Sequence, residues 1–151
     1  MKRTVQKTAF TLIEVLIVVV IMAVLAATIL PQFSNSTKDA KESTSKFNLR
    51  TLRGQVELYR ANHDGVLPGN AWAELTSKTD ISGSIGTGAT HTFGPYLHSI
   101  PENPFSGKAT VKVITNDPPA SSDVTADNEG GWLWNATTGG LWLDHSDYYS
   151  L

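Results

Sequence analysis

The chain has 151 residues, enough for one compact domain and an N-terminal apolar segment. Its hydrophobic content of 40% and charged content of 17% favour a folded protein, and the absence of cysteine excludes disulfides and thiolate metal sites. The net charge is −2. Beyond the three basic residues of the N-terminus, the chain carries 9 basic and 14 acidic residues, which argues against a nucleic-acid partner.

A basic stretch at residues 1–7 precedes a long apolar run. Residues 10–30 are long enough for one helical membrane span, and the basic residues place the N-terminal end in the cytoplasm. One interpretation is a removable secretory signal with a cleavage site at residues 24–26, which would release a soluble binding domain beginning near Ala27. A second is an ordinary single-pass anchor. Neither explains Glu14, an ionisable group at the start of a segment where charge is costly.

A third interpretation comes from residues 9–14, with the sequence AFTLIE. This stretch resembles the processing site of type IV pilins and of type II secretion pseudopilins. The resemblance implies that residues 1–9 form a leader, that a prepilin peptidase cuts between Ala9 and Phe10, and that Phe10 becomes the N-methylated end. Ala9 stands where the family usually has glycine. Because a small residue is retained, we expect cleavage.

The resemblance also gives Glu14 a role in assembly. It implies that Glu14 of one subunit faces the freed amino group of Phe10 on its neighbour in a filament. Two charges that are costly in lipid then form a pair. Such a pair fixes the axial register, because a slip of one helical turn leaves both charges unpaired.

Residues 31–64 continue the helical pattern as an amphipathic half. Pro31 predicts a kink, because proline removes one intrahelical hydrogen bond. Apolar residues then recur at helical spacing, among them Leu49, Leu52, Val56 and Tyr59. The sequence NHDG at residues 62–65 predicts the end of a helix that began at Phe10.

Two further segments are similar to major pseudopilins of type II secretion. Residues 52–68 place a tyrosine in the last turns of the helix, before an Asp-Gly stop and a proline. Residues 94–108 resemble the family's Tyr-Leu pair followed by a Pro-x-x-Pro-aromatic-x-Gly turn, here Tyr96, Leu97, Pro101, Pro104, Phe105 and Gly107. Gly107 is expected to adopt a positive φ before a strand.

The globular head, residues 65–151, is predicted to contain three antiparallel strands packed on the amphipathic helix. The strands are residues 109–115 and a hairpin formed by residues 132–134 and 141–143. The fold class is therefore α+β: a long N-terminal helix and a small C-terminal antiparallel sheet. The tryptophans are expected in the core or in subunit contacts.

The loop between the first strand and the hairpin offers a weak calcium site at Asp117, Asp123 and Asp127, since calcium takes carboxylate oxygens. The spacing is not that of an EF-hand, so no cofactor is expected to be required. No catalytic residues can be nominated: the four histidines lack ligand spacing, and no nucleotide-binding loop is present. An enzyme is therefore not expected.

Taken together, the resemblance implies a structural subunit of a type II secretion pseudopilus. The expected location is the bacterial inner membrane with the head in the periplasm, and a filament after processing. Expected partners are further copies of the chain, other pseudopilins, the prepilin peptidase and an assembly platform with a separate ATPase. A type IV pilin for adhesion, motility or DNA uptake and a secreted binding domain remain as alternatives.

Overall fold

A computed structural model of the chain describes residues 10–69 and 72–151. Its elements are two helices, α1 (Leu12–Asn62) and α2 (Ala73–Thr76), and three short strands, β1 (Val111–Val113), β2 (Trp132–Trp134) and β3 (Leu141–Leu143). Two 3-10 turns, Ser121–Asp123 and Ala126–Asn128, lie between β1 and β2. The prediction of an α+β fold with a long N-terminal helix and three C-terminal strands is confirmed.

Helix α1 begins and ends where the sequence chemistry indicates. It starts directly after Thr11, and its assignment continues through position 31. At its end Asp64 and Gly65 both adopt positive φ, and the Gly65 N–H donates to the carbonyl of Arg60 at 2.9 Å. Such a turn satisfies a carbonyl that the helix leaves without a partner.

The chain divides into two units, Met1–Ala40 and Lys41–Leu151. Within the first, the described residues are helical from Leu12 onward, and the side chains at 12–29 and 32–40 are exposed. The second contains the remainder of α1 and all the strands. The predicted domain boundaries at residues 9, 30 and 64 remain predictions.

The core of the second unit lies between one face of α1 and the sheet. Leu49, Leu52, Val56 and Tyr59 are buried, as the helical spacing predicted. They form one cluster with residues from α2, its flank and the two hairpin strands: Trp72, Leu75, Trp132, Trp134, Leu141 and Leu143. Trp72 and Trp134 meet edge to face with ring centroids 5.3 Å apart. Three of the four tryptophans are therefore core residues, as predicted.

The sheet is mixed, and the prediction of an all-antiparallel sheet is wrong for one pair. β2 and β3 form the expected antiparallel hairpin, with Trp132 opposite Leu143. β1 pairs with β2 in parallel, with Val111 opposite Trp132. The reason lies in the connection of residues 114–131, which is long enough to carry the chain back to the starting end of β1, as parallel pairing requires.

The segment at residues 94–108 is tied to the hairpin through Asn103, which is fully buried. Its amide nitrogen donates to the carbonyls of Gly130, Gly131 and Asp144, and its amide oxygen accepts the Phe105 N–H at 2.9 Å. Gly107 has φ 68°, so the predicted positive φ is confirmed. A single buried amide thus joins this turn to the residues just before β2 and just after β3.

Arg53 fastens the hairpin to α1. Its guanidinium donates to the carbonyl of Leu141, with the shorter bond at 2.6 Å, and to the backbone oxygen of Leu151 at 2.9 Å. Partial burial lowers the pKa of this guanidinium, yet arginine stays charged at any ordinary pH. Its hydrogen bonds are therefore expected at every pH at which the head is folded.

Two leucines of the same helix give a matched test of the core. Leu52→Ala is expected to destabilise the head by about 2–5 kcal/mol, because a fully buried leucine leaves a cavity. Leu58→Ala removes the same atoms from a side chain that is 48% exposed, and should cost under about 1 kcal/mol. Thermal unfolding of the detergent-solubilised full chain, followed by tryptophan fluorescence, measures both. Equal losses would contradict the assignment of the core face.

Candidate functional site

The first half of α1 is apolar and uncovered. The helix contains an 18-residue window with mean hydropathy 3.0, none of it buried, and it is long and apolar enough to cross a membrane. Its large side chains between Leu12 and Ile29 are all exposed. An apolar surface of this extent requires lipid or further protein around it.

Glu14 lies at the beginning of this apolar run, in contact with Thr11. Its carboxylate oxygen Oε2 accepts two hydrogen bonds from Thr11, one from the backbone N–H and one from the hydroxyl, both at 2.8 Å. In return, the Glu14 N–H donates to the Thr11 hydroxyl oxygen at 3.3 Å. Thr11 is thus the N-cap of α1, and Glu14 is the third helical residue. The arrangement is a capping box, in which two side chains satisfy backbone N–H groups of the helix start.

The capping box has a direct consequence for the carboxylate. Oε2 is fully engaged, whereas Oε1 accepts no hydrogen bond from the described residues. Phe10, immediately before the cap, has a side chain that is 85% exposed. The end of the apolar helix therefore presents an oriented carboxylate with one unused oxygen. A carboxylate at a helix N-terminus is also favoured by the helix dipole.

Thr11 is the residue that the sequence analysis missed. The signal was present in the residues Thr11, Leu12, Ile13 and Glu14, because a threonine followed three positions later by glutamate, before an apolar run, is the pattern of a capping box.

The structure describes only some of the other residues predicted to take part in processing and assembly. Ala9, and with it the leader at residues 1–9, lies outside the described residues. Phe10 is described and lies one residue before the N-cap Thr11. Helix α1 continues through position 31, and the kink predicted at Pro31 stays a prediction.

The three candidate calcium ligands do not form a carboxylate cluster. Within residues 10–69 and 72–151, no group of three or more His, Asp or Glu side chains is arranged to hold a metal ion. Asp123 is engaged locally, since its carboxylate accepts the Asn116 amide at 2.8 Å and the Ala120 N–H at 2.7 Å. These two bonds, the Asn116 bond first, lower the pKa of the Asp123 carboxyl. Asp117 and Asp127 are exposed. Calcium binding stays a prediction.

Comparison with known proteins agrees with the N-terminal site. Residues 6–30 match the family model described as the prokaryotic N-terminal methylation motif. Over 58 residues the chain is 33% identical to the type II secretion system core protein G of Pseudomonas aeruginosa, which covers 38% of this chain and 41% of that protein. Over 80 residues it is 38% identical to a fimbrial protein of Neisseria meningitidis, covering 53% of this chain and 46% of that protein.

These similarities have a limited extent. The chain spans less than half the length of the curated relatives that it matches. No solved structure matches the chain. The motif and the two relatives point in the same direction: the chain carries the N-terminal methylation motif and is similar to type IV pilin-like and pseudopilin-like proteins.

Proposed function

We propose that this chain is a structural subunit of a type II secretion pseudopilus, processed by a prepilin peptidase and polymerised through α1 to help export folded proteins. The observation that carries the proposal is the capped carboxylate of Glu14 at the start of an uncovered apolar helix. The proposed role is structural rather than enzymatic, and the similarity to a methylation motif and to a secretion system core protein supports it. A relative named as a type II secretion core protein supports the finer assignment.

Processing would create a positively charged partner for the unused oxygen of Glu14. Hydrolysis between Ala9 and Phe10 consumes one water, leaves a carboxylate on Ala9 and frees an α-amino group at Phe10. A methyl donor supplied from outside the chain then transfers one methyl group to that amine, which loses a proton. In the assembled filament, the unused oxygen Oε1 of Glu14 accepts a hydrogen bond from the charged amino group of a neighbouring Phe10. The bond from Thr11 keeps the carboxylate in place for this contact, so the pair forms without reordering the helix start.

Before assembly, the subunit is held in a membrane by its apolar helix. We propose an inner-membrane subunit with a cytoplasmic N-terminus and a periplasmic head, because the basic residues Lys2, Arg3 and Lys7 precede the span. Lipid covers the apolar run until other subunits replace it. Polymerisation requires an energy source outside this chain, and a separate ATPase with its assembly platform fills that role.

A second candidate is a type IV pilin that forms surface fibres. The specific observation in its favour is the similarity to a fimbrial protein, which covers 80 residues and so extends further than the similarity to the secretion protein. Both functions share the processed N-terminus and the helix bundle. They differ in what the filament does outside the membrane.

The first test of the processing step is the mass and N-terminal residue of the protein from cells that contain a prepilin peptidase. We expect a chain that begins at Phe10 and carries one N-methyl group. An Ala9→Gly variant serves as the control, because it restores the residue usual in the family and should be cut at the same bond. A start near Ala27 would instead support the secreted domain, and an intact Met1 would contradict processing.

The role of the capping box is tested by substitutions at both of its residues. Glu14→Gln keeps an amide oxygen for Thr11 but removes the charge, which leaves the neighbour's ammonium unpaired in the bundle at a cost of about 3–5 kcal/mol. We expect processing to persist and sedimentable filaments to fall at least about a hundredfold.

Thr11→Val removes only the hydroxyl, and loss of an N-cap costs about 1 kcal/mol, so filaments should fall roughly fivefold. Thr11→Ser retains the hydroxyl and is the matched control, with unchanged yield expected. Equal yields from the valine and serine variants would show that the hydroxyl has no role in assembly.

The secretion function is separated from the fibre function by deleting the gene. We expect folded exported proteins to accumulate in the periplasm while surface fibres and twitching motility stay intact. Expression of the wild-type chain should restore export, and the Glu14→Gln variant should not. Loss of surface fibres with normal export would favour the pilin candidate instead.

A further inference from the structure

The part of α1 within the second unit carries two apolar faces, of which the head covers one. The covered face consists of Ser45, Leu49, Leu52, Val56 and Tyr59, spaced alternately by four and three residues, and His63 continues the row just beyond the end of the helix. A second row, which we call the outer stripe, has the same alternation: Phe47, Thr51, Gly54, Leu58 and Ala61. The two rows are offset by two residues, which is about 200° around a helix, so the outer stripe faces away from the core.

The outer stripe is open along its length. Phe47 is 69% and Leu58 48% exposed, and Thr51, Gly54 and Ala61 are exposed as well. A Cβ added at Gly54 would meet no atom within 4 Å, so the stripe has a notch between its two large side chains. A single exposed apolar residue is ordinary, but a row with this spacing is typical of a helix face that packs against a partner.

The charges beside the outer stripe restrict what that partner is. Residues 41–62 carry five basic side chains and two acidic ones, a net charge of +3. Arg50 follows Phe47 by three residues and precedes Gly54 by four, so it borders the stripe. Its side chain is exposed and forms no ion pair or hydrogen bond within the described part of the chain. Pairing of two outer stripes would therefore bring two positive surfaces together, and an apolar helix would bury Arg50 unpaired.

The complementary surface lies on the same chain, in the connection between β1 and β2. Residues 114–131, which we call the acidic loop, contain four carboxylates and no lysine or arginine: Asp117, Asp123, Asp127 and Glu129. Asp127 is exposed, and its carboxylate has no partner among the residues that the structure describes. Val113, the residue immediately before the loop, is 43% exposed. Lys112, whose Nζ donates to the Asp123 carbonyl at 2.6 Å, offsets one of these charges, so that loop and lysine together carry a net charge of −3. The acidic loop thus combines negative charge with an apolar contact at its edge.

We propose that the outer stripe of one copy docks on the acidic loop of a second copy, with Arg50 beside Asp127 and Leu58 near Val113. The proposal rests on the filament function proposed above and adds a second subunit contact, outside the apolar bundle. Two different surfaces of one chain meet in this contact, so it is heterologous. A heterologous contact that does not close into a ring generates an open helical assembly, which is the geometry of a filament.

The absence of cysteine makes disulfide cross-linking a clean test. Two tagged full-length copies are co-expressed in cells with a prepilin peptidase, one with Leu58→Cys and the other with Val113→Cys. Because each copy has one thiol, any disulfide joins two molecules. After oxidation of sedimented filaments we expect a dimer containing both tags. Cells in which both copies carry Leu58→Cys, or both carry Val113→Cys, should give little dimer.

Charge reversal then tests the pairing. Arg50→Glu in the Leu58→Cys copy should lower the dimer yield roughly fivefold, and so should Asp127→Lys in the Val113→Cys copy. Both changes together should restore it, because the pair is re-formed with its signs exchanged. Lys78→Glu reverses an exposed charge outside both surfaces and is the matched control, with unchanged yield expected.

Failure of the contact is distinguishable from failure of the proposed function. Sedimentable filaments without the mixed dimer, or with a dimer between two Leu58→Cys copies, would overturn the docking while leaving the filament function intact. Filaments whose mixed dimer is insensitive to both charge reversals would also overturn it. If processed protein forms no sedimentable filament, the proposed function fails and the docking fails with it.

Discussion

The apolar run at the start of α1 is left uncovered by the residues that the structure describes, and the rest of the structure depends on this constraint. The large side chains from Leu12 to Ile29 are exposed. In a bilayer the backbone of such a segment must satisfy its own hydrogen bonds, which a helix does everywhere except at its ends. At the N-terminal end of α1, where the apolar run begins, the Thr11–Glu14 capping box provides acceptors for backbone N–H groups that the helix leaves without partners. The same carboxylate that completes the helix start engages Thr11 through Oε2 and leaves Oε1 without a hydrogen bond from the described residues.

The head depends on α1 in turn. Its three strands are three residues long, and a sheet of this size does not form a stable core alone. The covered face of the helix supplies the missing layer, and Arg53 and Asn103 hold the surrounding loops through hydrogen bonds to backbone carbonyls. The head is thus a small domain packed on one face of a helix. This leaves the opposite face, the outer stripe, without a partner in the described residues.

Much of the fold was predictable because the relevant signals are local. The spacing of Leu49, Leu52, Val56 and Tyr59 predicted an apolar helix face, which the structure shows to be buried, and the stop near Asp64 follows from a turn that requires positive φ. The tryptophan hairpin was likewise visible as two short apolar runs separated by turn residues. The parallel pairing of β1 with β2 was not predictable, because the direction of pairing depends on the path of residues 114–131, which has no periodic pattern.

The candidate site shows the same division. The sequence by itself determined that an apolar helix begins with a carboxylate and that a methylation motif surrounds it, because hydropathy and motif spacing are properties of neighbouring residues. Only the tertiary structure decided that Asn103 joins three separate backbone segments and that Phe47 and Leu58 stay exposed while Leu49 and Leu52 are buried. Leucines of equal hydrophobicity occupy both faces of α1. Which face is covered depends on where the hairpin packs, and that follows from contacts between residues about ninety positions apart in the chain.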